Sequence, residues 1–426
     1  MTIARVTGRW LSAVARKLGP YRLLRLCQEA ARCDPEGFKA NVQFVLRENL
    51  PTAWLDPDFS RFYADAVSPV NCASLPIDVN APDVIQLLDE IPSEATPGER
   101  RFLYDFFKTV WPGRNHVFEI GPFLGGTTRA IAMGMLANPR RQTQCKLYTC
   151  DRFREYYTPA ALQKVLAPLV QRGIVSPGDL EEIRQDASFR AVFNVLHRAQ
   201  NYFPMLEIMD KGVPDLVEES SGNHMHLPAG QEFDVFFVDG CKSWYGTKYF
   251  MLEACRNAMP GCYFIFQDYG HWTCFWISAF LSILGDYFDL VAFVDDTYAF
   301  QLQKRLCGDV IQERFPDSAT AVSRSDYERM YQALTDAARR RGDRRSGVTH
   351  QIHLAAALAM LGHDGDAEQL LTKLIQCPYS VGYEKRIQRA RAWLTYYPAI
   401  ENGQKIQKVI KLEKFEPRIT RVVASK

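Results

Sequence analysis

Three apolar runs in this 426-residue chain each end in a carboxylate, and these acids are the residues best placed to do chemistry. Residues 146–150 run into Asp151, residues 233–238 into Asp239, and residues 262–267 into Asp268. Runs of that length and apolarity read as buried strands, and in an open parallel sheet the carboxyl ends of the strands form the ligand-binding edge. A fourth run, Val117-Phe118, meets Glu119 and then a turn with glycines at 121, 125 and 126, followed by Thr127, Thr128 and an apolar-periodic helix from Arg129. Glycines let backbone approach a ligand closely, and a helix start offers unpaired N–H groups, so this strand, turn and helix suit a nucleotide-like ligand. The Gly-x-x-x-Gly-Gly spacing departs from the pyrophosphate-binding fingerprint and argues against NAD. Asp151, ending the next strand, can accept from both hydroxyls of a ribose.

The elements that must position these groups can be read in order. Residues 1–95 form helices broken by Gly19-Pro20, Asp34-Pro35, Leu50-Pro51 and Asp56-Pro57, and read as a cap over the substrate side. Residues 99–110 place Phe102, Leu103, Phe106, Phe107 and Val110 on one helical face, and Trp111-Pro112-Gly113 stops that helix before the first strand. An insertion at 152–232 carries helical patterns at 159–172 and 178–200, a third strand at 204–209 followed by Asp210, and a loop with His224 and His226 that reads as solvated rather than metal-binding. After the Asp239 strand come Lys242 and a helix to about 259, a Pro260-Gly261 turn, the Asp268 strand, and His271. A hairpin at 287–303 with an acidic turn then closes the sheet, ending the α/β unit of 96–305.

A linker at 306–324 leads to helices at 325–341, 348–361, 364–376 and 384–396, within a C-terminal part spanning 325–426. The stretch 353–371, with Ala355, Ala356, Ala359 and Ala367 at close-packing positions, resembles one tetratricopeptide-like helical hairpin. It reads as a docked appendage and a candidate surface for a protein partner.

Composition narrows the function classes. With 51 basic and 49 acidic residues, there is no positive field to suggest nucleic acid as a partner. Eleven scattered cysteines without a Cys-x-x-Cys pair suit a reduced, cytoplasmic setting. Residues 1–28 hold six basic residues and no acid, so this segment reads as an accessory helix with a solvated face, membrane-surface contact being the alternative.

The arrangement resembles the class I S-adenosylmethionine-dependent methyltransferases over residues 99–305: Glu119-x-Gly121-x-x-x-Gly125 with Thr127-Thr128, an acid after the second strand, and a terminal hairpin. The resemblance implies a Rossmann-like, mostly parallel seven-stranded α/β sheet. It also implies S-adenosyl-L-methionine as cofactor, with Glu119, Gly121, Phe123, Gly125, Thr127, Asp151 and Asp239 in its site. Asp210 and the Asp186-Ala187 pair compete for the adenine end. A narrower resemblance is to catechol-type metal-dependent O-methyltransferases, through Asp239-Gly240-Cys241-Lys242 after the fourth strand and Asp268-Tyr269 where that family has Asp-Asn. It implies Asp239 and Asp268 as ligands of an ion such as Mg2+, which would lower the pKa of an acceptor hydroxyl for Lys242 to deprotonate. Tyr269 in place of the amide ligand opens a metal-free alternative with His271 as base. Trp244, Tyr245, Trp272 and Trp276 are either an aromatic acceptor wall or core. The expected function is O-methyl transfer to a small hydroxylated acceptor; a silent scaffold with an interaction module and a metal-dependent hydroxylase are the alternatives.

Overall fold

The computed structural model describes residues 87–394, except 89, 155–158 and 187, together with two strands at 406–412 and 415–422. The basic segment 1–28, nearly all of the 1–95 cap and the Asp186-Ala187 side chains lie outside the described residues.

Helix α1 (Pro97–Thr109) starts where Thr96 and Glu99 form a reciprocal capping box, and it buries Phe102, Leu103, Phe106 and Phe107. Strand β1 (His116–Ile120) leads through the glycine turn into α2 (Gly126–Ala137), then β2 (Leu147–Asp151). Helix α2 begins three residues before Arg129, because Gly125 serves as a left-handed N-cap that leaves no side-chain signature. The insertion folds as α3 (Pro159–Gln171), α4 (Pro177–Asp186) and α5 (Arg190–His197) around a core that includes Leu124 and Phe153. The single helix expected at 178–200 breaks where Ser188 bridges to Arg154 and the Phe189 amide donates to the Phe153 carbonyl at 2.8 Å. Strand β3 (Leu206–Asp210) follows.

The second half of the sheet is β4 (Phe233–Val238), α6 (Trp244–Asn257), β5 (Ala258–Phe266), α7 (Phe275–Ile283), β6 (Phe288–Val294) and β7 (Thr297–Leu302). Pro260 and Gly261, expected as a turn, lie in the exposed start of β5, where its register with β4 shifts. The strands are ordered β3-β2-β1-β4-β5-β7-β6, all parallel except β7. The seven-stranded, mostly parallel α/β sheet with its antiparallel end is the fold that the sequence implies. Strand order reverses between β1 and β4, and a crevice at the carboxyl ends of those two strands is the default ligand position of such a sheet.

The segment expected as a linker carries α8 (Gly308–Arg314) and buries Leu306, Ile311, Phe315, Ala319 and Val322. Four further helices follow: α9 (Arg324–Arg341), α10 (Arg344–Met360), α11 (Asp364–Gln376) and α12 (Glu384–Trp393). Their core residues Tyr327, Tyr331, Val348 and Ile352 belong to the same apolar cluster as Phe236 and Phe264 of the sheet, so the C-terminal helices are built onto one face of the α/β unit. A hairpin, β8 (Ile406–Leu412) and β9 (Phe415–Val422), occupies a stretch read from sequence as a tail; β-branched residues such as Val409, Ile410, Ile419 and Thr420 favour it. Among the described residues no helix is long and apolar enough to cross a membrane.

Candidate active site at the carboxyl edge of the sheet

Strain concentrates at this edge. Phe123, Phe153, Cys241 and Asp268, which follow β1, β2, β4 and β5, are non-glycine residues with left-handed backbones, at φ of 52°, 51°, 60° and 66°. Each such conformation costs about 1–2 kcal/mol and persists where the surrounding structure enforces it, a pattern typical of functional sites.

At the β1–β2 end, the glycine turn is held by protein contacts. A Cβ on Gly121, at φ +85°, would stand 2.7 Å from the backbone of Asp239 and Gly240, so glycine is required for the ends of β1 and β4 to meet. A Cβ on Gly125, at φ +88°, would collide with the ring of His197. His197 donates from Nε2 to the Leu124 carbonyl at 3.0 Å, so its Nδ1 accepts from the Tyr202 hydroxyl at 2.9 Å; burial lowers its pKa to about 4 and keeps it neutral. Sequence reasoning missed His197, whose partners sit five and 73 positions away.

Glu119 and Thr127, expected to line the cofactor, instead engage each other behind the turn. The fully buried Glu119 carboxylate accepts from Thr127, Thr128 and Thr149 hydroxyls at 2.7, 2.6 and 2.9 Å, and burial raises its pKa to about 7. Its work is to fix the start of α2 against β2.

Asp151 does face the turn. Its Oδ2 lies 3.4 Å from the Phe123 amide, its Oδ1 accepts from the Phe153 amide at 2.8 Å, and burial raises its pKa to about 6. Asp210 is its exposed neighbour in register on β3. The Phe123 ring packs on Phe189 at 5.4 Å, and the Arg190 guanidinium lies 4.7 Å over Phe153 with its buried Nη1 lacking a hydrogen-bond partner. A carboxylate suited to a diol, aromatic rings and an orphaned buried donor fit an adenosine-type group. Residues that would hold it are Gly121, Phe123, Gly125, Asp151 and Arg190, with Asp210 at the rim.

At the β4–β5 end, Ser243 caps α6 by accepting from the Gly246 amide at 3.0 Å, which leaves Asp239 for other work. Lys242 Nζ donates to Asp268 Oδ2 at 2.7 Å, Asp239 Oδ1 at 3.1 Å and Gln267 Oε1 at 3.2 Å. Burial opposes the Lys242 charge, but Asp268 and Asp239 outweigh it and hold the pKa well above 10.5. This corrects the expectation of Lys242 as base: the ammonium is locked on, not depressed. Burial raises Asp239 well above the carboxylate range; at Asp268 the Lys242 and His271 attractions overcome burial and lower it.

His271 sits beside this cluster, lowered below 6.5 by burial against the opposing pull of Asp268 and Asp296. Its Nδ1 lies 2.7 Å from Thr273 Oγ1 and 3.3 Å from the Thr273 amide. Because the Thr273 amide donates to it, Nδ1 carries the lone pair of the neutral ring, and the ring proton is on Nε2. The His271 carbonyl accepts from His353 Nε2 of α10 at 2.7 Å. Asp296, in the β6–β7 turn, is held well below the carboxylate range: burial pushes it up, but Arg386 and Arg345, each 2.9 Å away, prevail. Sequence reasoning missed His353, Arg345 and Arg386, which reach the site from helices read as an appendage.

Asp239 and Asp268 converge, but the set does not fit a divalent ion. Among the described residues no group of three or more His, Cys, Asp or Glu side chains could hold a metal, and the Lys242 ammonium stands at the focus of the oxygens. Tyr269 offers no ligand: its ring packs on Tyr298 and Phe300 at 4.4 and 5.3 Å, and its hydroxyl meets His350 at 3.3 Å. His224 and His226 are apart from this edge, bonded to the Glu219 carbonyl and paired with Glu253. Of the proposed aromatic wall, Trp244 is core, stacked on Phe315 at 4.3 Å, and Trp272 packs against Trp393 of α12 at 5.4 Å.

No family model matches the chain, and no curated protein matches it. Several solved structures are similar. A putative O-methyltransferase from Klebsiella pneumoniae is 14% identical, over 53% of this chain and 91% of that one, with a TM-score of 0.31. The Bacillus cereus O-methyltransferase in complex with SAH is 14% identical, over 54% and 92%, at 0.29. The SAH-bound Podospora anserina methyltransferase is 13% identical, over 60% and 89%, at 0.29. The strand order and antiparallel terminal pair, rather than these likenesses, define the fold as the one that class I methyltransferases use.

Proposed function

We propose that this chain is an S-adenosylmethionine-dependent O-methyltransferase acting on a small hydroxylated acceptor of saccharide or natural-product type. The observation that carries the reading is the meeting of two unlike sets of groups on one sheet edge: a glycine turn with Asp151 at the ends of β1 and β2, and Lys242, Asp268 and His271 at the ends of β4 and β5. The cofactor supplies an electrophilic methyl carbon. Asp151 accepts from the ribose hydroxyls, and the left-handed Phe123 and Gly125 shape the backbone around the rest. On the acceptor side, Lys242 gives the hydroxyl oxygen a fixed positive partner, exchanging its longest contact, to Gln267, for that oxygen. His271, kept neutral by burial, takes the acceptor's proton, and Asp268 and Asp296 favour the resulting imidazolium.

Isothermal titration calorimetry with S-adenosylmethionine tests the reading. Saturable binding is expected, weakened at least about tenfold in Asp151→Ala, and no heat at about 1 mM cofactor would sink it.

A further inference from the structure

We infer that Lys242 is a built-in replacement for a divalent cation: its ammonium holds the position between Asp239, Gln267 and Asp268 that a hard metal ion would otherwise fill, so the acceptor edge excludes such ions until the lysine is removed.

An ammonium has three protons, and here three oxygens from three residues stand at 2.7, 3.1 and 3.2 Å from Nζ. The donor inventory of Lys242 is therefore matched one to one. The oxygens it satisfies are hard ligands of the kind that Mg2+ and Mn2+ take, two carboxylates and an amide. An ion entering that focus would stand within a few ångströms of a fixed positive charge, and it would need the lysine to leave both carboxylates at once. Local backbone enforces the arrangement. Left-handed Cys241 and Asp268, at φ 60° and 66°, lie one residue before Lys242 and at the end of β5, and the Ser243 cap fixes where α6 begins. Gln267 takes the part of the amide, since the neighbouring Tyr269 is turned into the core. The Asp239 and Asp268 side chains at the ends of adjacent strands thus keep the oxygen geometry of a metal centre with a lysine as its cation. The inference concerns the cluster itself and does not depend on the identity of the acceptor.

The test uses the full chain, stripped with EDTA and titrated with MnCl2, free Mn2+ being followed by electron paramagnetic resonance. The wild type is expected to leave the free signal unchanged up to about 1 mM. Lys242→Met should bind one ion at least about tenfold more tightly than the wild type, and adding Asp268→Asn should abolish the gain. One Mn2+ bound by the wild type and lost in Asp239→Asn overturns the inference, as does a Lys242→Met protein with wild-type near-ultraviolet circular dichroism that binds no ion. Lys242→Gln, with a neutral polar head, serves in the same way if Lys242→Met does not fold. Because the readout is cation binding, failure of S-adenosylmethionine to bind leaves the result intact, and a metal-binding wild type leaves the methyl-transfer reading standing.

Discussion

The two ends of the candidate site are built by opposite rules. At the ends of β1 and β2 the buried groups are kept near neutral and interlocked: Glu119 is raised to about 7 and shared by three threonines, Asp151 is raised to about 6, and His197 is lowered to about 4 between Leu124 and Tyr202. At the ends of β4, β5 and β6 ion pairs stand at the centre, Lys242 with Asp268 and Asp296 with Arg345 and Arg386, while Asp239 and His271 beside them are shifted toward their neutral forms. The first end is complete within residues 90–210. The second needs helices that arrive only after residue 340. A bound nucleotide-like group asks for a fixed backbone contour, which neutral hydrogen-bonded groups provide at little desolvation cost. Handling a proton and a developing negative charge asks for preorganised charges, and those remain buried only if each is paired.

The largest expected effect breaks the neutral end. Gly125→Ala places a methyl group into the His197 ring at a left-handed position, so both overpacking and backbone strain apply. We expect a loss of about 4 kcal/mol in stability, read by thermal or denaturant unfolding, together with loss of cofactor binding. A variant melting with the wild type would show that the turn yields and that the interlock is not what holds it.

Glu119→Gln sharpens the same side through pH. The ordinary value of Glu119 is 4.5 and its folded value about 7, so between those limits the native state holds the proton more tightly than the unfolded chain does. Stability is therefore greatest below that window and falls as pH rises through it, by about 3 kcal/mol for a fully buried group. Glu99, also raised to about 7 by burial, tilts the profile in the same direction. Glu119→Gln should flatten part of this slope, so that the variant gains on the wild type between pH 5 and pH 8. Unfolding profiles that stay parallel across that range would mean the three threonines hold an ionised carboxylate.

What the sequence disclosed follows from how local each signal is. The strands ending at Asp151, Asp239 and Asp268 were legible because an apolar run and its terminal acid are contiguous, and α1 and α9 to α12 because amphipathic periodicity and caps are local. The start of α2 was misplaced because a left-handed glycine cap carries no side-chain mark. Glu119 was legible as an acid beside a glycine turn, but its burial and direction were not, since one of its three partners, Thr149, lies 30 residues on. Lys242 is the sharper case: spacing paired it with Asp239, yet the sign of its pKa shift depends on Asp268, 26 residues away, which reaches it through a strained backbone. Tyr269 read as a damaged ligand position and is a core aromatic, a distinction made by residues 298, 300 and 350.

The smallest of these effects probes the charged end from the C-terminal helices. His353 is fully buried, its pKa lowered to about 3, and it donates from Nε2 to the His271 carbonyl at 2.7 Å while Nδ1 faces Ser278 Oγ at 2.8 Å. His353→Leu removes one of the two donors to the His271 carbonyl, the Cys274 amide at 3.2 Å being the other, which costs about 1 kcal/mol. Among the described residues His353 meets the His271 loop, Ser278, Tyr331 and His350, away from the glycine turn; the variant should therefore lose turnover while calorimetric affinity for S-adenosylmethionine stays at the wild-type value, and His353→Gln, which keeps an N–H donor, should recover part of the turnover. An equal loss of cofactor affinity in His353→Leu would mean that the two ends share one packing unit and that the C-terminal helices support the whole edge rather than its acceptor half.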